Sequence, residues 1–596
     1  MSKRSLLSIL IVSAMMAGLS ASGAVAQVPS DGSAPGPIVF TMGVTGDMVS
    51  PNPFKACCSP EYEAMFLGYD QLFNFSKDTL EATTGLADFP PDVSADGKKW
   101  TFHVRSGVKW SDGVPLTAKD VAFTFNFIHD NHLAVFDHYL GYPKSFTAPD
   151  DETFVWTMDR PTTSPLSPPW LPIVPEHIWS KFDGKDAKTI KEFPNVPAVG
   201  SGPFVLTDWK TGQFWTMDAN KDYWGGAPHI DRIIFKVFDN PEAMKLALIN
   251  GEIDAADAFP PAIFQQLQGE PNIVTNVSAA NYFDNLAFNF EGTADPSLHN
   301  LKVRQAIQYS IDKQALVDRV ALGYASVGSS VELPAYKQWA WQPDPSEAMN
   351  YDPDMAKSLL DSAGYRDING DGFRETPNGQ PWSLEVLTLT DLAYSVPEGK
   401  LVVGWMNDVG IKTTIKSVST SKAYDLWGAQ DFDMYVWAWG NEPDPDYTLS
   451  LFTKAQCLWW SDGCYSDPAY EKMYTQQHLA TDLEERIALV KEMQRFLYEQ
   501  VPEVVLIYEQ DLQAYRSDRF TGYTVQPSPV GSIFYAFGSE VWLGIKPVSE
   551  SQATAGTGSS GSGVPVWVWI ALAVVVVILG VGAFTARRGK ATDDIE

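Results

Sequence analysis

The segment FDMYVWAWGNEPDPDYTLSLF holds the residues whose types and spacing are best suited to binding a small molecule. Two indole rings, those of Trp437 and Trp439, come shortly before the carboxylates of Glu442, Asp444 and Asp446. Two prolines interrupt the acidic run, so the stretch does not fit one regular helix or strand. Aromatic faces and carboxylates on an irregular loop indicate a binding site. The rings suit peptide side chains, aromatic compounds and sugar rings equally.

A second candidate site is a metal-binding loop in the sequence DINGDGFRE. Asp367, Asn369 and Asp371 occupy the first, third and fifth places of a calcium loop, and Gly372 occupies the sixth. The twelfth place, where such loops carry a bidentate Glu, is Asn378. Two interpretations stay open, a weak structural calcium site and an Asx-type turn between a helix and a strand. No other cofactor is predicted.

The chain has only four cysteines, so disulfides do not define its fold. Cys457 and Cys464 bracket the sequence LWWSDG and are predicted to close a small disulfide loop in an oxidising compartment. For the adjacent residues Cys57 and Cys58, a vicinal bridge, two reduced thiols and pairing elsewhere all stay open.

Enzyme signatures are missing from the sequence. Between residues 38 and 545 it contains no Gly-x-Ser-x-Gly elbow, no His-Glu-x-x-His, no P-loop and no dinucleotide fingerprint. The formal net charge of −30 also makes nucleic acid and anionic surfaces poor partners. We therefore expect a binding protein that is not an enzyme.

Strand and helix patterns alternate along the body of the chain. KKWTFHVRSGVKW alternates apolar and polar side chains as a half-buried strand does. LTAKDVAFTFNFIHD carries an apolar helical stripe behind Thr117, a predicted N-cap, and PEAMKLALINGEID predicts a helix that ends at Gly251. Because the body is too long for one hydrophobic core, the sequence indicates a mixed α/β body of two or three lobes.

The two ends of the chain carry targeting signals. Residues 1–26 have a basic start, an apolar run and a small-x-small cleavage site, which is typical of a secretory signal peptide. Residues 564–584 carry no charge and, at about 1.5 Å per residue, are long enough for a bilayer core of about 30 Å. Residues 549–563 form a flexible Gly/Ser linker, and the basic start of the tail 585–596 places it in the cytoplasm. We expect a single-pass protein of the cell membrane with its large N-terminal part outside.

Six segments, in this order, resemble the family 5 extracellular solute-binding proteins, the peptide- and nickel-binding group of ABC importers. They are VKWSDGVPLTAKDVAFTFNFI, VGSGPFVLTDWKTGQFWTMDANKDYWGGAPHIDRIIFKV, NGEIDAADAF, VRQAIQYSIDKQALVDRVALGYA, YDPDMAKSLLDSAGY and YSDPAYEKMY. The resemblance covers residues 38–545. It implies an α/β fold, a two-lobed periplasmic-binding-protein-like clamp of type II with an extra inserted subdomain. The predicted C-terminal transmembrane helix would be added to it.

On this implied fold the chain passes between the lobes more than once. The segments NYFDNLAFNF and VPEVVLIYEQDLQAY fall at the crossings, and both have the pattern of strands that could act as a hinge. We assign lobe I to residues 38–74, 198–284 and 500–546, the inserted subdomain to residues 75–197, and lobe II to residues 285–499.

The resemblance also implies where the solute binds. In peptide-binding members, an aspartate just before a conserved Asp-Pro holds the α-ammonium of the peptide. Alignment on Asp444-Pro445 puts Asn441 at that place. Either Asn441 forms a neutral contact worth about 1 kcal/mol, or Glu442 or Asp444 supplies the charge through a loop shifted by one residue. Paired with a buried ammonium, a carboxylate is worth a few kcal/mol.

The function implied by the resemblance is that of a membrane-tethered receptor. It would capture peptides or a similar small solute by lobe closure and deliver them to a permease driven by cytoplasmic ATPases. Two alternatives remain, an oligosaccharide receptor of the same family and a surface sensor or adhesion protein that uses the same clamp.

Overall fold

The structure is a computed structural model that describes residues 36–548 except 57–58, 163–170, 391, 459, 462, 481 and 535–537. The predicted signal peptide, Gly/Ser linker, membrane helix and tail lie outside these residues, as do Cys57 and Cys58. Among the helices that are described, none combines the length and the apolar character needed to cross a bilayer.

The strands of the described residues range from two to sixteen residues in length. They are β1 Val39–Val44, β2 Phe73–Phe75, β3 Ala82–Thr84, β4 Asp92–Val93, β5 Lys99–His103, β6 Pro143–Thr147, β7 Thr153–Met158, β8 Phe204–Lys210, β9 Phe214–Ala219, β10 Arg232–Val237, β11 Ala255–Ala256, β12 Ile273–Phe288, β13 Ala325–Val327, β14 Leu384–Leu389, β15 Thr413–Val418, β16 Met434–Gly440, β17 Glu503–Arg516, β18 Phe520–Thr521 and β19 Lys546–Pro547.

Helices alternate with these strands along the chain, which confirms the predicted mixed α/β body. They are α1 Ser59–Gly68, α2 Ala118–Asp130, α3 Ala134–Asp137, α4 Glu176–Trp179, α5 Ala187–Lys191, α6 Pro241–Asn250, α7 Pro261–Leu267, α8 Leu301–Ser310, α9 Lys313–Arg319, α10 Pro353–Ser362, α11 Ser395–Asp408, α12 Thr420–Ala429, α13 Asp446–Ser450, α14 Pro468–Leu479, α15 Leu483–Gln500 and α16 Glu540–Gly544.

Local sequence signals set several helix ends, and those at Thr117 and Gly251 lie where the sequence predicts them. Thr117 caps α2 in a capping box with Asp120, so two backbone N–H groups of the first turn gain partners. Gly251 ends α6 with a φ of 76°, a left-handed conformation that costs glycine little. In α9, the side chain of Asp312 accepts a hydrogen bond from the backbone N–H of Ala315.

Two long strands connect the halves of the main sheet. Its order is β15-β14-β16-β12-β17-β11-β1-β10-β9-β8, and β13 also pairs with β17. β12 and β17 run antiparallel in the middle, with β16 beside β12 and β11 beside β17. These two strands contain the segments predicted to cross between lobes, so their strand character is confirmed.

The pairing of β12 with β17 is irregular in the middle of both strands. Register shifts occur between Val277 and Ala280, between Ala280 and Tyr282, and between Asp284 and Asn285. Each shift interrupts the hydrogen-bond ladder and bends the strand locally. The irregular pairing therefore lies between the two halves of the sheet.

A separate antiparallel sheet, in the order β4-β5-β7-β6, lies within the segment assigned to the inserted subdomain. Trp100 and Phe102 of β5 are buried against α2 residues that include Phe125, in one aromatic-rich core. The predicted strand and helix of this segment are confirmed. The domain boundaries themselves stay a prediction.

Candidate functional site

Strand β16 presents Trp437 and Trp439 on one face, because residues two apart in a strand point the same way. Their ring centroids are 6.3 Å apart, and both side chains are half-buried. Trp437 pairs with Asn285 of β12, and Trp439 pairs with Phe283. The long strand β12 therefore fixes the position of both indoles.

The two indoles belong to a longer row of aromatic rings, which we call the aromatic row. Neighbouring rings of the row have centroid distances from 4.9 to 6.4 Å. Its members are Tyr424, Trp427, Trp437, Trp439, Tyr447 and Trp460. Because most of these rings are half-buried, the row can receive flat or apolar groups of a solute.

Asn441 follows β16 directly and is buried. Its Nδ2 donates to the carbonyl oxygen of Val331 at 2.8 Å and to Oε2 of Glu332 at 3.2 Å. Its Oδ1 is buried and has no hydrogen-bond partner among the described residues. A solute donor that reached this oxygen would remove the cost of an unsatisfied polar atom.

Glu332 contacts Asn441 through this hydrogen bond, and the sequence analysis did not predict it as a site residue. Its side chain is fully buried, and burial raises its pKa to about 8, while the hydrogen bond from Asn441 opposes that rise. No motif marks this residue, because its contact with Asn441 depends on the tertiary fold.

Glu442 links the loop after β16 to the segment assigned to the inserted subdomain. Its Oε1 accepts a hydrogen bond from the hydroxyl group of Tyr139. Its Oε2 is buried without a partner in the described part of the chain. Burial raises the pKa of Glu442 well above its usual value, and the nearby carboxylates raise it further. The protonated, neutral form of Glu442 is thereby favoured.

Asp444 is already paired with a buried cation. Arg486 of α15 donates from Nη1 to Oδ2 and from Nη2 to Oδ1 of Asp444, each at 2.7 Å. The side chains are 3% and 11% exposed, respectively. Such a bidentate pair leaves little charge for a solute ammonium. Of the three residues considered for that contact, Asn441 and Glu442 keep an unpartnered oxygen.

Asp446, the next carboxylate of the acidic run, has protein partners too. It lies in the first turn of α13, accepts a hydrogen bond from Nε2 of Gln477 and is 3.3 Å from Nδ1 of His478. Burial acts to raise its pKa, but His478 and Arg486 together hold the pKa of Asp446 below its usual value. This carboxylate therefore stabilises the loop as an anion.

Another group of carboxyl groups lies along the two long strands, and we call it the acidic cluster. Its members are Glu63, Asp257, Asp284, Glu398, Glu509 and Asp511. Desolvation raises the pKa of all six carboxyl groups, and for five of them the proximity of other members raises it further. The pKa of Asp511 is raised to about 6 by desolvation. Sequence reasoning missed this cluster, because its members are spread from α1 to β17.

The calcium-like loop satisfies its own polar groups. Asp367 accepts backbone hydrogen bonds from Gly370 and Gly372, and Asn369 accepts one from the backbone N–H of Asp371. This pattern is that of Asx-type turns. In the described ranges, no group of three or more His, Cys, Asp or Glu side chains is arranged to hold a metal ion. Calcium binding by this loop stays a prediction.

Cys457 and Cys464 are joined by a disulfide, as the sequence predicts, with Cα atoms 4.5 Å apart. The closed loop contains Trp460, whose ring contacts those of Trp439 and Tyr447. The disulfide therefore restrains one end of the aromatic row.

Raising the pH from about 5 to about 8 is expected to lower the free energy of unfolding of the solute-free protein. The pKa is raised to about 8 for Asp257, Glu332 and Glu398, mainly by desolvation, so these groups keep protons that the unfolded chain has lost. Stability falls wherever the folded state binds more protons, by about 1.4 kcal/mol per pH unit for each such group. Thermal midpoints at constant ionic strength measure this effect.

The matched variant for this test is Glu332→Gln, which removes one titrating carboxyl group and keeps the side-chain shape. Its thermal midpoint should fall less steeply with pH than that of the unchanged protein. A midpoint that rises between pH 5 and pH 8 would contradict the assignment of raised carboxyl pKa values.

Comparison with known proteins relates the chain to a family. The model of the family described as bacterial extracellular solute-binding proteins, family 5 Middle, matches residues 81–457. The chain is 28% identical to the nickel-binding periplasmic protein of Escherichia coli (strain K12) over 369 residues, which cover 60% of this chain and 67% of that protein. It is 25% identical to the dipeptide-binding protein of the same organism over 484 residues, 77% of this chain and 86% of that protein.

Among solved structures, the chain is similar to the oligopeptide-binding protein AppA from Bacillus subtilis in complex with a nonapeptide. The TM-score is 0.72 at 21% identity, and the match covers 86% of this chain and 99% of that one. At this identity the likeness shows the fold, a mixed α/β periplasmic-binding-protein fold.

Proposed function

The chain belongs to the bacterial extracellular solute-binding proteins of family 5 and is an extracytoplasmic substrate-binding protein of an ABC importer, and we propose that its solute is a peptide or a peptide-like molecule. The relatives named above include a dipeptide-binding protein. The observation that carries the proposal is that Asn441 lies two residues after Trp439 of the aromatic row and that its buried Oδ1 has no partner among the described residues. A peptide offers both apolar side chains for the rings and N–H donors for this oxygen.

We propose that capture proceeds by closure of two lobes about β12 and β17. The three register shifts of their pairing lie midway along the strands, where a change of twist disturbs the fewest ladder hydrogen bonds. The lobes would be those assigned from the sequence, with residues 75–197 as the inserted subdomain. The hydrogen bond from Tyr139 to Glu442 supports closure, because it joins the subdomain to lobe II.

Members of this family bind substrates for transport, and we propose that this chain likewise releases its solute unchanged. In the loop after β16, the carboxyl groups of Glu442, Asp444 and Asp446 have protein partners, which are Tyr139, Arg486 and His478, respectively. None of them is paired with a nucleophile as a hydrolytic site requires. An oligosaccharide remains the second candidate solute, because the half-buried rings of the aromatic row and the neutral Asn441 also suit sugars.

Acetylation of a peptide's N-terminus is expected to change its affinity by less than about tenfold. The reason is that Asn441 is neutral, Glu442 is bound to Tyr139 and Asp444 to Arg486, so these residues of the loop after β16 offer no free carboxylate to the N-terminal ammonium. Titration calorimetry with Ala-Phe-Ala and its N-acetylated form measures the difference.

The variant Asn441→Asp provides the matched control, since it restores a carboxylate at this position and should create a preference for the free amine. A preference of about a hundredfold in the unchanged protein would instead identify Glu442 as the ammonium partner. Failure of both peptides to bind would favour the oligosaccharide.

We further propose that residues 564–584 anchor the protein in the membrane and that residues 549–563 tether the binding domain near the permease, which raises the local concentration of the binding domain there. The intact chain should sediment with membranes, and a chain truncated after Pro547 should be recovered in the soluble fraction. Recovery of the truncated chain in the membrane pellet would contradict a single C-terminal anchor.

A further inference from the structure

The acidic cluster lies on one face of the two long strands. Asp284 of β12 pairs with Ile507 of β17, and Glu509 and Asp511 follow Ile507 at two-residue spacing. Residues at this spacing share a face, so the three carboxyl groups lie on the same side of the strand pair. Tyr282 pairs with Glu509, and its hydroxyl lies 3.1 Å from that of Ser59 in α1.

The remaining members approach this face from both halves of the sheet. Glu63 is on α1, and Asp257 follows β11, which pairs with β17. Glu398 is in the first turn of α11, and its carboxyl group is close enough to that of Asp284 to share a proton with it. The cluster therefore bridges the segments assigned to the two lobes.

Within the described ranges, no basic side chain balances these carboxyl groups. In the part of the chain that the structure describes, none of the six forms an ion pair with Lys, Arg or His. By contrast, Asp444 in the loop after β16 forms an ion pair with Arg486. Like charges held together without a counterion destabilise the folded state unless protons or a bound cation neutralise them.

Several of these oxygen atoms are also without hydrogen-bond donors. The side chain of Glu398 is fully buried and that of Asp284 is 2% exposed. Apart from the proton that Glu398 and Asp284 can share, both Oε atoms of Glu398, Oδ2 of Asp284 and Oε1 of Glu509 have no hydrogen-bond partner among the described residues. Tyr282 beside them is 37% exposed, so this face of the strand pair can be reached from solvent. Buried acceptors next to an accessible tyrosine face suit a ligand that carries several donors.

On these grounds, and resting on the proposed solute-binding function, we propose that the acidic cluster binds a positively charged group of the solute, an alkylammonium or a guanidinium. Such a group carries three or five N–H donors, which matches a set of acceptors that lack them. The ring of Tyr282 beside the carboxylates adds a cation–π surface. A bare metal ion fits less well, because no three carboxylates among the described residues converge as metal ligands do. A basic peptide and a polyamine share the required chemistry.

Titration calorimetry with the full-length protein and matched probes tests this inference. The probes are N-acetylated Ala-Lys-Ala, the same peptide with norleucine in place of lysine, the same peptide with glutamate, and spermidine. The lysine peptide should bind about 30-fold more tightly than the norleucine peptide, which equals about 2 kcal/mol and is typical of a charge-assisted hydrogen bond. The glutamate peptide should bind more weakly than either.

The double variant Glu509→Gln, Asp511→Asn should reduce this preference to less than about threefold. A cooperative thermal unfolding transition of the double variant shows that it is folded. The variant Glu484→Gln is the matched control, because Glu484 is an exposed carboxylate in the first turn of α15 and should keep the full preference.

The outcomes separate this inference from the proposed function. Equal affinity for the lysine and norleucine peptides would overturn the inference and leave peptide binding intact. Tight binding of spermidine alone, lost in the double variant, would support the cation site and overturn the peptide as solute. If no probe binds, both the cation site and the peptide are contradicted.

Discussion

The variant Arg486→Met is expected to lower the free energy of unfolding by about 3–5 kcal/mol. Arg486 is 3% exposed and donates two hydrogen bonds to Asp444, one to each carboxylate oxygen. Its Nε donates to Oε1 of Gln477, and its guanidinium lies 5.1 Å from the ring centroid of Trp339. Methionine keeps an unbranched apolar stem but leaves the carboxylate of Asp444 buried and unpaired. That uncompensated charge accounts for most of the expected loss.

Urea unfolding followed by tryptophan fluorescence measures this loss. The control Arg495→Met removes an exposed arginine that pairs with Glu499 on the same helix, and it should cost far less. Adding Asp444→Asn to Arg486→Met should recover part of the stability, because the unpaired charge is then removed. A loss below about 1 kcal/mol for Arg486→Met would contradict the importance assigned to this pair.

The variant Trp439→Ala is expected to weaken solute binding by about 30-fold or more, equivalent to about 2 kcal/mol. Trp439 contacts more rings of the aromatic row than any other member does. These rings are those of Trp437, Tyr447 and Trp460. It lies two residues before Asn441, so its loss removes apolar contact area beside the unpartnered Oδ1. Half-buried aromatic side chains of this kind dominate the energetics of binding sites.

Calorimetric titration of the variant with a peptide that binds the unchanged protein measures this effect. Trp341→Ala is the matched control, because Trp341 is also half-buried but contacts Tyr498 of α15 instead of the aromatic row. Unchanged affinity in Trp439→Ala, together with an unchanged thermal midpoint, would show that the aromatic row does not face the solute.

Sequence patterns were sufficient for the elements whose cause is local. Thr117 and Gly251 mark helix ends by their own backbone and side-chain chemistry, and apolar alternation marks β5 and the crossing strands. The disulfide between Cys457 and Cys464 also follows from spacing, since the two residues are only seven positions apart in the sequence. In each case the determinants lie within about a dozen residues.

The electrostatics of the site could not be predicted in this way. Asp444 was a candidate ammonium contact by sequence, but its partner Arg486 lies 42 residues later on another element. The acidic cluster depends on the register of β12 against β17, and that register includes three shifts that no local pattern encodes. Which carboxylates are neutralised and which are left unpaired is therefore a property of the tertiary structure.

The central claim is that the protein binds one small solute reversibly and does not convert it into products. Native mass spectrometry of the full-length protein tests this claim most directly. The account predicts a complex of one chain with one solute molecule, whose mass is unchanged after prolonged incubation. Release of that solute on gentle denaturation should return the same molecule. A bound species that is converted into products would contradict the claim, and so would a chain that forms no complex with any peptide, sugar or polyamine offered to it.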